Sequence, residues 1–220
     1  RPVTDPTRRT HVYRAAAADR WYAMAATLNA GLALEWARGV LAVDWDTLYG
    51  EAFAVAPGAD GVRFLPYLSG ERTPHLDAGA RGAWTGLGIG HHRGHLLRAA
   101  LEGVAFALRD CVAAIEAAAP GGADDQLRLA GGGSVAPAWR QLLADVLRRP
   151  LAAVDMPNAS VRGAALLSGV AAGIYPDVHA TLALAPSPRP VAAPGQAADA
   201  YEPAYEQWRA TYPRLRDRGS

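Results

Sequence analysis

The sequence predicts an α/β fold, and three stretches carry that prediction. In the first, the apolar run Leu127 to Ala130 stops at Gly131-Gly132-Gly133, Ser134 stands where an N-cap is wanted, and an amphipathic helix follows to about Asp145. The second is another short strand, Pro150 to Asp155, which Met156-Pro157-Asn158 turns into a Gly- and Ala-rich helix from Arg162 to Gly173. The third is a long helix, His95 to Ala119, carrying Ala99, Ala100, Gly103 and Ala107 at a spacing that permits close packing. Glycines let a backbone approach a ligand closely, and free N–H groups at a helix start favour an anion, so the unit at 127–145 can hold a phosphate. The same residues also satisfy a plain tight turn between a strand and a helix.

The 220 residues suffice for one sizeable core. The 22 basic residues are all Arg, which excludes lysine-based chemistry, and 21 acidic residues leave a net charge of +1. No summed field would draw in nucleic acid or an anionic membrane, which leaves room for a small neutral-to-anionic ligand. Cys111 is the only cysteine. It cannot form an intrachain disulfide, reads as a small core residue, and points to a reducing, cytoplasmic compartment. No apolar run approaches the roughly 18 residues that a membrane span needs. The opening Arg1-Pro2-Val3-Thr4-Asp5-Pro6 lacks the apolar core of a signal peptide and reads as a mid-protein loop, so the chain is expected to be a piece of a longer polypeptide.

Taken in order, His11-Val12-Tyr13-Arg14 and Arg20 to Ala25 read as a hairpin. Asn29 is placed to cap a helix to about Leu41, with Leu32, Trp36 and Val40 on one face, and Asp46 to Val55 reads as a second helix. Ala56-Pro57-Gly58-Ala59-Asp60-Gly61 is turn chemistry ahead of a buried strand, Val62 to Leu68. The loop Ser69-Gly70-Glu71-Arg72-Thr73-Pro74-His75 holds both charge signs, and reads either as a structural corner or as part of a site. Ala83 to Gly88 is a strand closing in a glycine turn. His91, His92 and His95 lack a Cys or carboxylate to complete a zinc set, and His95 stands where the long helix wants a cap. After Gly173, the Pro- and Ala-rich stretch 185–198 reads as an exposed connection, and the segment 199–220 as a C-terminal helix with its amphipathic part from Tyr201 to Leu215.

Together these pieces resemble the FGGY family of carbohydrate kinases, in its C-terminal domain and in the xylulokinase form. Gly82, Trp84, Gly86, Leu87, His95, Leu96, Ala99, Ala100, Leu101 and Glu102 fill every position of that family's second signature. Tyr67 to His75 resembles the xylulokinase loop. Gly131 to Ser134 with Trp139, Gln141, Ala144 and Asp145 resembles the family's adenosine motif. Two positions depart from the pattern: Arg148 stands where a glycine usually ends the adenosine helix, and Asn158 where a Glu often precedes the last Gly-Ala helix.

The resemblance implies an actin-like ATPase (ribonuclease H-like) fold, in which two α/β domains close on a cleft, with residues 1–220 belonging to the C-terminal, ATP-binding one. It implies ATP and Mg²⁺ as cofactors and a ketose sugar as co-substrate. Gly132 and Gly133 would approach the α-phosphate, Ser134 to Pro137 would border the adenine, Gly86 would line the phosphate and ribose side, and the Gly163 helix would back the adenine pocket. No residue of this sequence is assigned as catalytic, because the resemblance places the general-base aspartate and an Asp-x-Gly-Thr phosphate loop upstream of residue 1. The xylulokinase form points to D-xylulose, with gluconokinase- and ribulokinase-like relatives as competitors. A non-catalytic nucleotide-binding or assembly module is the reading from a different class. Either way the chain is expected to form a homodimer or to pair with an N-terminal part.

Overall fold

The computed structural model describes residues 5–17, 20–120, 125–131, 135–154, 156 and 158–216. Its first half contains β1 (His11–Arg14), β2 (Trp21–Met24), α1 (Gly31–Val40), α2 (Trp45–Phe53), β3 (Arg63–Leu65), β4 (Ala83–Thr85) and α3 (Arg93–Ala118). The second half contains β5 (Leu127–Leu129), α4 (Pro137–Leu147), β6 (Leu151–Ala153), α5 (Ala159–Ala171), α6 (Val178–Leu182), β7 (Arg189–Ala192), α7 (Tyr201–Arg209) and α8 (Thr211–Arg216). Strands β1 and β2 form one antiparallel pair and β3 and β4 another, while β6 lies between a parallel β5 and an antiparallel β7.

The 26-residue α3 is the centre of the core, with α1, α2, β3 and α4 packed on it. Its small residues set the spacing. A Cβ on Gly103 would lie 2.1 Å from the carbonyl oxygen of Phe64, so helix and strand meet backbone to backbone. Helix α7 closes the other side with buried Tyr201, Tyr205 and Trp208. Their polar ends are satisfied, as burial requires: Trp208 Nε1 donates to the Phe64 carbonyl at 2.7 Å and the Tyr205 hydroxyl to Asp110 Oδ1 at 2.5 Å. Among the described residues no helix is long and apolar enough to cross a membrane.

Several sequence expectations are corrected. Asn29 does not cap α1; it is buried, its Nδ2 donates to the Gly70 carbonyl and its Oδ1 accepts from Ser69 Oγ, and Ala30 holds the cap position. The α1 stripe of Leu32, Trp36 and Val40 stays largely exposed, because the helix buries Ala33, Leu34 and Ala37 instead. The long helix is capped by His92, three residues before it was expected to begin; His95 is the reciprocal partner, its Nδ1 accepting from the His92 N–H. The 185–198 connection contains β7, and the C-terminal helix is broken into α7 and α8. Among the described residues, the Gly-Ala helix α5 packs mainly on α6, and no heavy atom stands within 4 Å of where a Cβ on Gly163 would be.

Loop 69–77 is a structural corner. Glu71 is buried and accepts from Thr27 Oγ1 at 2.8 Å, Leu28 N at 3.2 Å and Arg72 N at 2.8 Å. Burial pushes its carboxyl above the ordinary carboxylate range against those bonds. Cys111 is buried beside the same loop, and burial pushes its thiol up to about 12, where it is inert.

Candidate functional site

Two glycine segments lead into the N-termini of α3 and α4. In the first, β4 ends at Thr85 and Gly86 turns the chain with φ +79°. A Cβ on Gly86 would lie 2.4 Å from the carbonyl oxygen of Gly61, so glycine is needed both for the left-handed backbone and for the close approach. From Gly86 to Gly90 the loop is exposed, with Ile89 wholly in solvent. His91 ends it: Nδ1 accepts the Gly88 N–H at 2.8 Å, and Nε2 lies 3.5 Å from Asp60 Oδ2.

Beneath that loop lies an unusual turn. Gly58, Ala59, Asp60 and Gly61 have φ of +90°, +49°, +50° and +85° in succession. A left-handed non-glycine residue costs about 1–2 kcal/mol, and here there are two. The surroundings hold them. Ala59 is fully buried, and the Gly58 N–H donates to Glu102 Oε1 at 2.8 Å. Glu102 also accepts from Arg98 Nε at 2.7 Å, and Arg98 Nη2 donates to the Tyr201 hydroxyl. Burial pushes the Glu102 carboxyl up, against the pull of the Arg98 guanidinium. The last residue of the signature thus secures a turn that supports the signature's own Gly86.

In the second segment Gly131 leaves β5 with φ +96°, and among the described residues no heavy atom stands within 4 Å of where its Cβ would be. Gly132, Gly133 and Ser134 lie outside the described residues. The cap expected at Ser134 falls instead at Ala136, and Pro137 takes the first helical position, where its fixed φ and missing N–H are no disadvantage. At the other end, Arg148 adopts the left-handed cap at φ +53° that the family usually gives to glycine.

The two helix starts share a wall. A cavity of about 410 Å³ is lined by Ala54 to Pro57, Asp60, His92 and His95. A second, of about 450 Å³, is lined by the same four residues together with Phe53, Arg98, Ala138 and Gln141. The helix that follows Gly86 and the helix that begins at Pro137 therefore flank one segment, 54–57. Each of the three histidines uses Nδ1 to accept a backbone N–H, His91 from Gly88, His92 from Gly94 and His95 from His92. Among the described residues no group of three or more His, Cys, Asp or Glu could hold a metal ion. The turn at 56–61 was legible as a turn, but its four left-handed residues and the pairing of Asp60 with His91 were not, since no local pattern links positions so far apart in sequence.

A fold of this kind, with a glycine-led strand-to-helix unit on each side of a shared wall, is that of a sugar kinase's actin-like ATPase domain, and the chain belongs to the FGGY family of carbohydrate kinases: the description of that family's C-terminal domain matches residues 1–172. The chain is 34% identical over 217 residues to a xylulose kinase of Escherichia coli K12, covering 97% of this chain and 44% of that protein. It is 32% identical over 185 residues to a gluconokinase of Bacillus licheniformis, covering 79% and 36%. Among solved structures, the xyloylose (xylulose) kinase of Brucella ovis superimposes with a TM-score of 0.83 at 35% identity, over 97% of this chain and 44% of that one. The chain therefore spans less than half the length of these relatives.

Proposed function

We propose that this chain is the ATP-binding part of a carbohydrate kinase that phosphorylates D-xylulose to D-xylulose 5-phosphate. The observation that supports it best is the complete second signature, whose residues fall on β4, the left-handed Gly86, the capped start of α3 and the buried Glu102. In this reading Gly86, Gly132, Gly133, Ser134 and Pro137 hold the nucleotide, with the two central glycines against the α-phosphate. ATP supplies the phosphoryl group, and the chain's part is to fix its position, since positioning and charge stabilisation dominate phosphoryl transfer. Mg²⁺ belongs to the same reading, as the counter-ion of the nucleotide's phosphates. A cytoplasmic location belongs to the same reading.

The resemblance assigns the sugar's general base to sequence outside these residues. Titration calorimetry of the chain is therefore expected to show weak ADP binding, lost in Gly133→Val, and a coupled assay to show no sugar-dependent ATP consumption. Absence of ADP binding overturns the nucleotide reading; turnover with sugar from these residues alone overturns the division of labour. The likeness to a gluconokinase favours a second substrate, and comparing D-xylulose with D-gluconate as substrates of the full-length protein decides between them.

A further inference from the structure

We infer that Asp60 and His91 are positioning residues of the nucleotide loop, clasping the exposed Gly86 to Gly90 segment onto the left-handed turn at 58–61; the inference rests on the nucleotide reading of Gly86. The loop itself contributes little to its own order. All five of its residues are exposed, and three of them are glycines, the residue that loses most conformational freedom on being fixed. It is fastened at both ends to one support. At its start, Gly86 sits directly on the Gly61 carbonyl. At its end, the imidazole of His91 joins loop to turn, accepting the Gly88 N–H at Nδ1 and facing Asp60 Oδ2 with Nε2.

The chemistry of that bridge is specific. Because Nδ1 is occupied as an acceptor, the ring proton belongs on Nε2, which lies 3.5 Å from Asp60 Oδ2, and the nearby carboxylate favours the tautomer that holds Gly88. The His91 side chain is 13% exposed, whereas that of Asp60 is 81% exposed. The ring is therefore packed in place, while among the described residues the carboxylate has no other hydrogen bond or ion pair that would justify its left-handed backbone. The strain at Asp60 is explained if its position, and not its contribution to stability, is what matters. Preorganising the loop lowers the entropy that nucleotide binding must otherwise overcome.

The test is calorimetric titration of the chain with ADP, with thermal midpoints measured alongside. Asp60→Ala and His91→Phe are each expected to weaken ADP binding by about five- to tenfold, as for one ordering polar contact, with midpoints close to the parent's. Asp60→Asn and His91→Gln, which keep an acceptor at each end, are expected to recover most of it. The double variant Asp60→Ala/His91→Phe is expected to be no weaker than the worse single one, because the two act through one bridge. A parent that fails to bind ADP overturns the nucleotide reading and this inference with it. A parent that binds, beside single variants that bind equally well or that lose affinity only in step with their thermal midpoints, overturns the inference alone.

Discussion

At the scale of single residues, two side chains decide against their surroundings in ways that can be measured. His75 lies between Tyr67 and Tyr212, its Nε2 sharing a hydrogen bond of 3.1 Å with the Tyr67 hydroxyl. Burial first, and then Arg216, push its imidazole down from 6.5 to about 4, with Asp77 opposing. The unfolded chain then holds the proton at pH values where the folded chain does not. Stability is fully present above about 6.5 and is lost as the pH falls towards about 4. Asp77, bonded to Tyr212, is held below its ordinary range and titrates beneath that window. Thermal midpoints against pH are expected to fall through the window in the parent and to fall less in His75→Gln; equal slopes would remove His75 from the account. Arg148 is the second case. Its left-handed cap costs about 1–2 kcal/mol, against which its exposed ion pair with Asp199 at 3.0 Å offsets only a few tenths. Glycine would relieve the strain at an entropic cost of about 0.5–1 kcal/mol, so Arg148→Gly is expected to stabilise by about 0.5 kcal/mol in denaturant titration.

At the scale of elements, α3 shows what governs the core. Its face is small because β3 crosses it, and Gly103 is the point of closest approach, 2.1 Å from an added Cβ to the Phe64 carbonyl. Phe64 cannot withdraw, because its carbonyl also receives Trp208 Nε1. Gly103→Ala is therefore expected to destabilise by about 3 kcal/mol, at the upper end for an overpacked core, with a matching fall in the urea midpoint. The same elements show what a sequence reveals. Helix α3 was legible because its small residues recur at helical spacing, and the hairpin because two runs with aromatic residues flank an Ala-rich break ending in Asp19. Strand β7 was not, since Arg189-Pro190-Val191-Ala192 has neither alternation nor β-branched density and becomes a strand by pairing with β6 as an edge, where a proline is tolerated. Asn29 looked like a cap because local chemistry favours it, but a partner at Gly70 captured its side chain. Of the candidate site, the glycine turns at Gly86 and Gly131 were legible as turns, whereas the turn at 58–61 that supports Gly86 depends on contacts with Glu102 that no spacing announces.

At the scale of the whole molecule, the exposed edges of the sheets matter most. Strands β1 and β2 pair only with each other among the described residues, and each is four residues long. A two-stranded ribbon of that size is marginal by itself. It is anchored at one side: Thr73 Oγ1 donates to the Arg9 carbonyl at 2.6 Å, and Arg72 Nη2 lies 2.9 Å from His11 Nε2. Its free side presents backbone N–H and C=O groups beside Trp21 and Tyr22, which are 48% and 50% exposed. Unpaired edges flanked by aromatic surface pair with another chain unless charge or proline protects them, and the sequence Trp21-Tyr22-Ala23-Met24 carries neither. We therefore expect the chain to self-associate through this hairpin, as a dimer in which one copy's strand extends the other's. Sedimentation velocity over a range of concentrations is expected to show a rising average mass, and Trp21→Lys, placing a charge on the edge, to return the chain to monomer. A single species of monomer mass at every concentration would defeat the proposal, and association that persists unchanged in Trp21→Lys would move it to another surface, for which the exposed Val161, Ile174 and Leu182 around α5 and α6 are the next place to look.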